Sequence, residues 1–247
     1  MTAPNDSTPN HSVATTSPVR LPRTAAFGPG SGGQPRLLID APAGAAEIYL
    51  HGATVTSWIP RGGSEVIFTS RQAVFDGATA IRGGIPLCLP EFGVGINGNA
   101  VPKHGWARIA PWRLRTVTST DDGGVRALLS VSRDRLTALY EVEVGQTLRL
   151  GLSLRNDGTE PRTVEAAAHT YLSVHDVTAS VINGLDAAAY SDNLARSPQE
   201  SRRVQEGDVK ISGPVDRIYD SAAPIAVVDP GHRRTIRIDK RNAPSTI

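Results

Sequence analysis

Apolar and polar side chains alternate with a period of two along much of the chain from residue 36 onwards. The alternation is clearest in YEVEVG at residues 140–145 and in TLRLGLSLRN at 147–156, where every second side chain is apolar. Successive side chains of a β-strand point to opposite faces, so this pattern predicts strands with one buried face. No segment of 12 or more residues has a convincing helical period, and the patterning therefore predicts an all-β protein.

Turn sequences between the apolar runs predict how the strands are joined. DDGG at 121–124 and DPG at 229–231 each separate two apolar runs and predict hairpins, and NDG at 156–158 predicts a turn of the chain. A hairpin is also predicted at PRGGSE after the first tryptophan, and VIFT at 66–69 is a candidate strand. RTVEAAAHTYLSV is predicted to begin a strand that carries His169. An antiparallel β-sandwich accounts best for these elements.

Composition divides the chain into two predicted parts. Residues 1–34 are rich in Ser, Thr, Pro, Gly and Asn and carry few large apolar side chains, which predicts a disordered tail. We expect residues 35–247 to form a single domain. The chain has neither the apolar core of a signal peptide nor 18 consecutive apolar residues, so we expect a cytoplasmic protein that does not bind a membrane.

The charge balance and the cysteine count narrow the function. The formal net charge is only +2, from 26 basic and 24 acidic residues, which argues against a nucleic-acid partner. Cys88 is the only cysteine and lies in the apolar run IPLCLP, so it is expected to pack as a small hydrophobic residue.

The candidate chemistry is concentrated in the irregular stretch 76–108, DGATAIRGGIPLCLPEFGVGINGNAVPKHGWAR. Seven glycines and three prolines exclude a long helix or strand here. Arg82, Lys103, His104 and Arg108 lie within it, and these side chains can bind an anion or move a proton. Loops held by a rigid scaffold are where functional sites are commonly built.

Four motifs in order resemble one known family. AIRGGIPLCLPEFG, PKHGWAR, HTYL at 169–172 and VDRIYD at 215–220, preceded by HGATVTSW at 51–58, are similar to the hexose-6-phosphate mutarotase branch of the aldose 1-epimerase family. The resemblance extends from about residue 36 to the last residue. It implies a large, many-stranded antiparallel sandwich of the galactose mutarotase type, and an isomerase that needs no metal or other cofactor.

The resemblance also implies roles for the two motif histidines. His169 matches the histidine that acts as general acid towards the sugar ring oxygen, and His104 matches a group that assists it at the ring oxygen or the hydroxyls. Histidine suits proton transfer because its ordinary pKa is about 6.5. From the residues alone, a buried structural role for His169 and a polar loop role for His104 stay open.

Four further residues are implied in substrate binding. Arg82 and Arg108 match the arginines that hold the 6-phosphate, and a guanidinium group presents a planar fork of donors to phosphate. Lys103 stands where relatives carry glutamine, and it could add a phosphate contact or point into solvent. Asp216 matches an aspartate that accepts hydrogen bonds from sugar hydroxyls. Solvated or ion-paired arginines, and an aspartate that ends a turn, are the alternatives.

The end of the chain departs from the family pattern. RNAPSTI resembles the start of a segment that in the family continues to a glutamate acting as general base at the C1 hydroxyl, whereas this sequence ends at Ile247. We therefore expect an incomplete C-terminal part, open sheet edges and reduced activity, because a missing general base costs about 10²- to 10⁴-fold.

Three functions follow as hypotheses. The first is interconversion of the α and β anomers of a hexose 6-phosphate, expected to be glucose 6-phosphate, by a monomer. The second is a sugar-phosphate binding protein without catalysis, which keeps the arginines and Asp216 but lacks the glutamate. The third is a carbohydrate-binding sandwich with no preference for phosphate.

Overall fold

Strands make up nearly all of the regular structure in the computed structural model, which describes residues 19–247 apart from the side chains at positions 198 and 199. In chain order the strands are β1 (Ala25–Pro29), β2 (Pro35–Ala41), β3 (Gly44–Tyr49), β4 (Thr54–Pro60), β5 (Leu87–Cys88), β6 (Arg113–Ser119), β7 (Val125–Arg133), β8 (Leu136–Val144), β9 (Leu148–Asn156), β10 (Ala167–Ala168), β11 (Val181–Asn183), β12 (Ala189–Asp192), β13 (Arg202–Val204), β14 (Val209–Lys210), β15 (Arg217–Tyr219), β16 (Ile225–Asp229) and β17 (Arg234–Ile238). The helices of this part of the chain are short, with 3-10 turns at Ser31–Gly33 and Ala107–Ile109 and an α-helical turn, α1, at Pro198–Ser201. The all-β prediction is confirmed, and no described helix is long and apolar enough to cross a membrane.

Two four-stranded antiparallel sheets share the main core. Their strand orders are β1-β2-β3-β4 and β6-β7-β8-β9. Leu37 and Ile39 of β2 are buried in the same cluster as Tyr140 and Val142 of β8, as the period of two requires. Each large apolar side chain buried in this way contributes about 1.5 to 3 kcal/mol relative to exposure.

The strongest turn predictions are confirmed by the strand pairing. β6 pairs with β7 across the DDGG turn, with Ser119 opposite Val125. β16 pairs with β17 across the DPG turn, with Asp229 opposite Arg234. The turn after Trp58 also closes as predicted, since the Val66 N–H donates to the Trp58 carbonyl at 3.0 Å.

The predicted disordered tail is too long at its C-terminal end. Its first 18 residues lie outside the described part of the chain, but Ala25–Pro29 forms β1 and pairs with β2. An edge strand can be held by backbone hydrogen bonds to its neighbour. Few large apolar side chains are needed for that pairing, which is why composition alone missed this strand.

Two predicted strands are shorter than expected. VIFT at 66–69 makes only isolated bridges, from Ile67 and Thr69. In the segment before His169 only the two residues of β10 are strand, paired with β5. The backbone nevertheless continues alongside residues 84–90 on both sides of β10, and the ladder is incomplete because Pro86 and Pro90 have no N–H to donate.

Residues 181–238 build two smaller sheets beside the main sandwich. Their orders are β14-β11-β16-β17 and β13-β12-β15. They enclose a second, small core, which consists of Leu185, Tyr190, Val209, Tyr219 and Ile225.

Candidate functional site

The loop that follows β5 holds His104 in a fixed position. His104 adopts a left-handed backbone conformation with φ +63°. Its N–H donates to the Gly93 carbonyl at 2.7 Å, and its carbonyl accepts the Leu89 N–H at 3.2 Å. The ring is held as well, because the Gly93 N–H donates to Nδ1 at 3.2 Å. An Nδ1 that accepts a hydrogen bond carries no proton, so in the neutral ring the proton lies on Nε2.

Charge and burial favour this neutral form of His104. Partial burial lowers its pKa, and the positive charges of Arg108, His169 and Lys103 lower it further. Both effects disfavour a second proton on the ring. His104 is therefore suited to donate a hydrogen bond from Nε2 to an oxygen of a ligand near neutral pH.

His169 comes directly after β10 and lies beside His104. The centroids of the two imidazole rings are 6.0 Å apart and the ring planes are nearly perpendicular, at 87°. The His169 ring stacks on Tyr171 at a centroid distance of 5.1 Å, which fixes its orientation. Its backbone N–H donates to the Pro86 carbonyl at 3.0 Å. The structure thus brings together the two histidines that the sequence singled out.

Arg108 adds a positive charge with unused hydrogen-bonding capacity. It lies in the 3-10 turn Ala107–Ile109, and its Nη2 donates to the Lys103 carbonyl at 2.7 Å. Its Nε is buried and has no hydrogen-bond partner among the described residues. A guanidinium group has five N–H donors, so the bond to Lys103 leaves others that can bind an anionic oxygen.

Cys88 packs against His104 on the buried side of the cluster. Its sulfur is 3.5 Å from His104 Nδ1, and only 1% of the residue is exposed. Burial raises the pKa of the thiol to about 11, against an opposing effect of the Arg108 charge. Cys88 therefore stays protonated, and its predicted packing as a small buried residue is confirmed.

Fewer contacts connect the other predicted binding residues to the two histidine rings. Lys103 and Arg82 have exposed side chains, and neither side chain makes a hydrogen bond or an ion pair within residues 19–247. The backbone of Arg82 lies two residues before Gly84, whose carbonyl accepts the Tyr171 N–H at 2.9 Å. Positive φ at Gly83 and Gly84 interrupts the strand alternation, so the register does not fix where the Arg82 side chain points.

Within the described part of the chain, no hydrogen bond or ring contact joins Asp216 to the two histidines. Its Oδ1 accepts a hydrogen bond from Asn193 Nδ2 at 2.9 Å, and its carbonyl accepts the Asn193 N–H at 2.9 Å. Both contacts close the end of the β12–β15 pair. These contacts place Asp216 beside Asn193, and both roles that the sequence offered for this residue stay predictions.

Sequence reasoning gave no role to Glu165, although this residue touches the site loop. Glu165 Oε2 accepts the Phe92 N–H at 3.1 Å. The only available signal was its spacing of four residues before His169, which on a strand puts both side chains on one face. Glu165 also lines a cleft of about 240 Å³ that Glu91 shares and that neither histidine borders. Two carboxylates make this cleft a poor place for a phosphate.

A metal site finds no support in the part of the chain that is described. Residues 19–247 contain no group of three or more His, Cys, Asp or Glu side chains placed to hold a metal ion. The side chains of the cluster are themselves of the types that transfer protons and bind anions.

Comparisons with known proteins identify relatives of this chain. The family model described as aldose 1-epimerase matches residues 35–247. The chain is 33% identical over 221 residues to a protein from Cenchrus ciliaris named "Putative glucose-6-phosphate 1-epimerase", a match that covers 82% of this chain. The chain spans 65% of that relative's length, which is less than two thirds.

Solved structures show the same fold. A crystal structure of a "putative mutarotase" from Salmonella typhimurium superposes with a TM-score of 0.78 at 26% identity, covering 89% of this chain and 74% of that one. A galactose mutarotase-like protein from Clostridium acetobutylicum superposes with a TM-score of 0.66 at 11% identity, covering 84% and 78% of the two chains. The predicted galactose mutarotase-like sandwich is thereby confirmed.

Proposed function

This chain belongs to the aldose 1-epimerase family, and on that premise we propose that it interconverts the α and β anomers of a hexose 6-phosphate. The observation that carries the proposal is the pair of histidine rings 6.0 Å apart, next to Arg108 with its buried, unpartnered Nε. This arrangement offers proton donors for the sugar ring and a cation for the phosphate. The relative from Cenchrus ciliaris carries the same activity in its name.

In the proposed mechanism His169 is the general acid. It delivers a proton to the ring oxygen O5 while a water molecule accepts the proton of the C1 hydroxyl, and the C1–O5 bond breaks to give an open-chain aldehyde. Rotation about the C1–C2 bond and reclosure give the other anomer. One proton is donated and one is accepted while the C1–O5 bond breaks and re-forms, so the reaction is redox-neutral, with His169 as the proton donor and water as the acceptor.

His104 supports this step as a hydrogen-bond donor. Because its Nδ1 accepts the Gly93 N–H, the neutral ring presents Nε2–H to O5 or to a neighbouring hydroxyl. The lowered pKa keeps His104 neutral, so in this proposal the two histidines have different tasks. His169 transfers the proton and His104 orients the sugar.

We assign phosphate recognition to the positively charged residues in and around the cluster. Arg108 would be the main contact, and Lys103 and Arg82 have exposed side chains that are free to turn towards an anion. We retain Asp216 as a proposed hydroxyl acceptor, since Oδ2 is left over after the bond to Asn193. Glucose 6-phosphate as the preferred substrate, the monomeric state and the cytoplasmic location are likewise part of this proposal.

Exchange between the two anomeric C1 protons of glucose 6-phosphate, measured by NMR, tests the proposal. We expect exchange well above the spontaneous rate with the wild-type chain and a decrease of about 10²- to 10⁴-fold for His169→Asn. His175→Asn is the matched control, because His175 is exposed and outside the cluster. Binding of glucose 6-phosphate without faster exchange would support the non-catalytic alternative, and equal exchange of free glucose would refute phosphate recognition.

A further inference from the structure

Glu165 connects the segment that carries His169 with the loop that carries His104. The Glu165 N–H donates to the Pro90 carbonyl at 2.8 Å, and its carboxylate accepts the Phe92 N–H at 3.1 Å. Backbone and side chain thus hold the same short stretch, residues 90–92. The N–H groups of Glu165 and His169 both donate to one partner segment, to the Pro90 and Pro86 carbonyls, so the carboxylate adds a further bond between the two segments that carry the histidines.

The held stretch leads directly to the His104 ring. Phe92 packs edge-on against that ring, with centroids 5.0 Å apart at 76°. The next residue is Gly93, which donates its N–H to Nδ1 at 3.2 Å and accepts the His104 N–H at 2.7 Å. A continuous series of contacts therefore runs from the Glu165 carboxylate through Phe92 and Gly93 to the imidazole.

We propose that Glu165 is a positioning residue for His104: its carboxylate holds the Phe92–Gly93 segment so that the Gly93 N–H stays aimed at Nδ1. This leaves Nε2 as the nitrogen that carries the proton of the neutral ring. The contacts that carry this inference involve no substrate. Only the use of the Nε2 proton, as a hydrogen bond to the sugar, rests on the proposed function. Glu165 is not assigned a proton-transfer step, because its carboxylate is bonded to the loop backbone.

Glu165 acts here as a hydrogen-bond acceptor and not through its charge. The groups that face the His104 ring are Arg108, His169 and Lys103, whose charges act on it, and Cys88, whose sulfur contacts Nδ1. Glutamine at position 165 keeps an acceptor for the Phe92 N–H, whereas alanine has none. The proposal therefore requires that Glu165→Gln keeps the His104 proton on Nε2 as in the wild type, and that Glu165→Ala does not.

The direct test is ¹⁵N NMR of the histidine rings in the full chain, without substrate. In the wild type and in Glu165→Gln we expect the His104 proton on Nε2. In Glu165→Ala we expect a mixture of the two tautomers and a rise of about half to one pH unit in the titration midpoint of His104, the size expected for one weakened hydrogen bond. Glu91→Ala is the matched control, because it removes a neighbouring carboxylate of the same cleft without removing the Phe92 bond.

Kinetics supply the second readout and separate this inference from the proposed function. In anomer exchange we expect Glu165→Ala to lower kcat about 3- to 10-fold with little change in KM, while Glu165→Gln stays near the wild type. If the alanine variant does not fold, Glu165→Ser replaces it, since serine is too short to reach Phe92. An unchanged His104 tautomer and midpoint in the alanine or serine variant would overturn the inference. Absence of anomer exchange in the wild type would overturn only the proposed function.

Discussion

Two histidines in one cluster differ because their surroundings differ. His104 has its Nδ1 occupied by the Gly93 N–H and its pKa lowered by burial and by neighbouring cations. His169 is held by stacking on Tyr171 and contributes one of the charges that act on His104. These different contacts are the basis on which we propose different roles for the two rings, His104 as hydrogen-bond donor and His169 as proton-transfer group.

Arg108 is the residue for which phosphate selectivity can be measured most directly. We expect Arg108→Ala to weaken binding of glucose 6-phosphate by about 10- to 100-fold, since one charged hydrogen bond is worth about 1.5 to 3 kcal/mol. Binding of free glucose should change much less. Calorimetric titration with both sugars measures the difference.

Arg115→Ala is the matched control for that titration. Arg115 is an exposed arginine on β6, and removing it lowers the net charge by the same amount. If it weakens glucose 6-phosphate binding as much as Arg108→Ala does, the attraction comes from net charge and not from a site at Arg108.

At the scale of elements, the strands and hairpins that could be predicted are those marked by apolar alternation or by turn residues. β8 and β9 were evident because every second side chain is apolar, and the β6–β7 hairpin because DDGG marks its turn. The extended segment around His169 was harder, since Pro86 and Pro90 interrupt its partner strand and reduce the ladder to β5 and β10. β1 was missed because it pairs with β2 through the backbone and contributes only the small side chain of Ala25 to the main core.

The same reasoning explains which parts of the site were predictable. The histidines and Arg108 could be found because their side chains carry the chemistry and stand in recognisable motifs. Glu165 could not, because its partner is the backbone N–H of Phe92, and a backbone N–H has no sequence signal. Contacts between a side chain and a distant main chain become visible only in three dimensions.

The loop that carries His104 depends on one glycine that tolerates no side chain. Gly105 has φ +69°, and a Cβ there would lie 2.1 Å from the Leu89 carbonyl oxygen. We expect Gly105→Ala to lower the free energy of unfolding by about 3 kcal/mol or more, from the left-handed conformation and the overlap together. Gly98 is the matched control in the same loop, since it has φ +71° and nothing within 4 Å of a Cβ.

Chemical denaturation of the two alanine variants checks this prediction. Gly98→Ala should cost only about 1 kcal/mol, because it meets the conformational penalty without the overlap. Equal losses in the two variants would mean that the backbone near Leu89 moves away freely, and that the loop does not hold His104 rigidly.

At the scale of the whole molecule, Arg234 and Asp229 fasten the β16–β17 hairpin to the main sandwich. Arg234 Nη1 donates to the Glu65 carbonyl at 2.8 Å, and Nη2 donates to the Ser173 carbonyl. Its Nε is 3.4 Å from Asp229 Oδ2, and Asp229 is fully buried. Segments more than 160 positions apart in the sequence therefore meet at one guanidinium group.

Asp229 is held ionised by this arrangement. Burial alone would raise its pKa, but hydrogen bonds from the His232 ring and from the backbone N–H groups of His175 and His232 outweigh burial and lower it. A carboxyl whose pKa is lower in the folded than in the unfolded protein stabilises the fold above the unfolded value of about 3.9. That contribution is lost as the pH falls below this value and through the folded pKa.

Asp229→Asn should therefore destabilise the protein in a pH-dependent way. Breaking a buried ion pair on one side costs about 3 to 5 kcal/mol, so we expect the melting temperature at pH 7 to fall by roughly 6 to 20 °C for a chain of this size. The difference from the wild type should shrink towards pH 3, because below about pH 3.9 this carboxyl takes up a proton in the unfolded wild-type chain, which stabilises the unfolded state. Asp239→Asn, next to the hairpin with an exposed Arg237 partner, should change the melting temperature by about 1 to 2 °C at most. A difference for Asp229→Asn that stays constant from pH 7 to pH 3 would show that packing, and not the charge of Asp229, joins the hairpin to the sandwich.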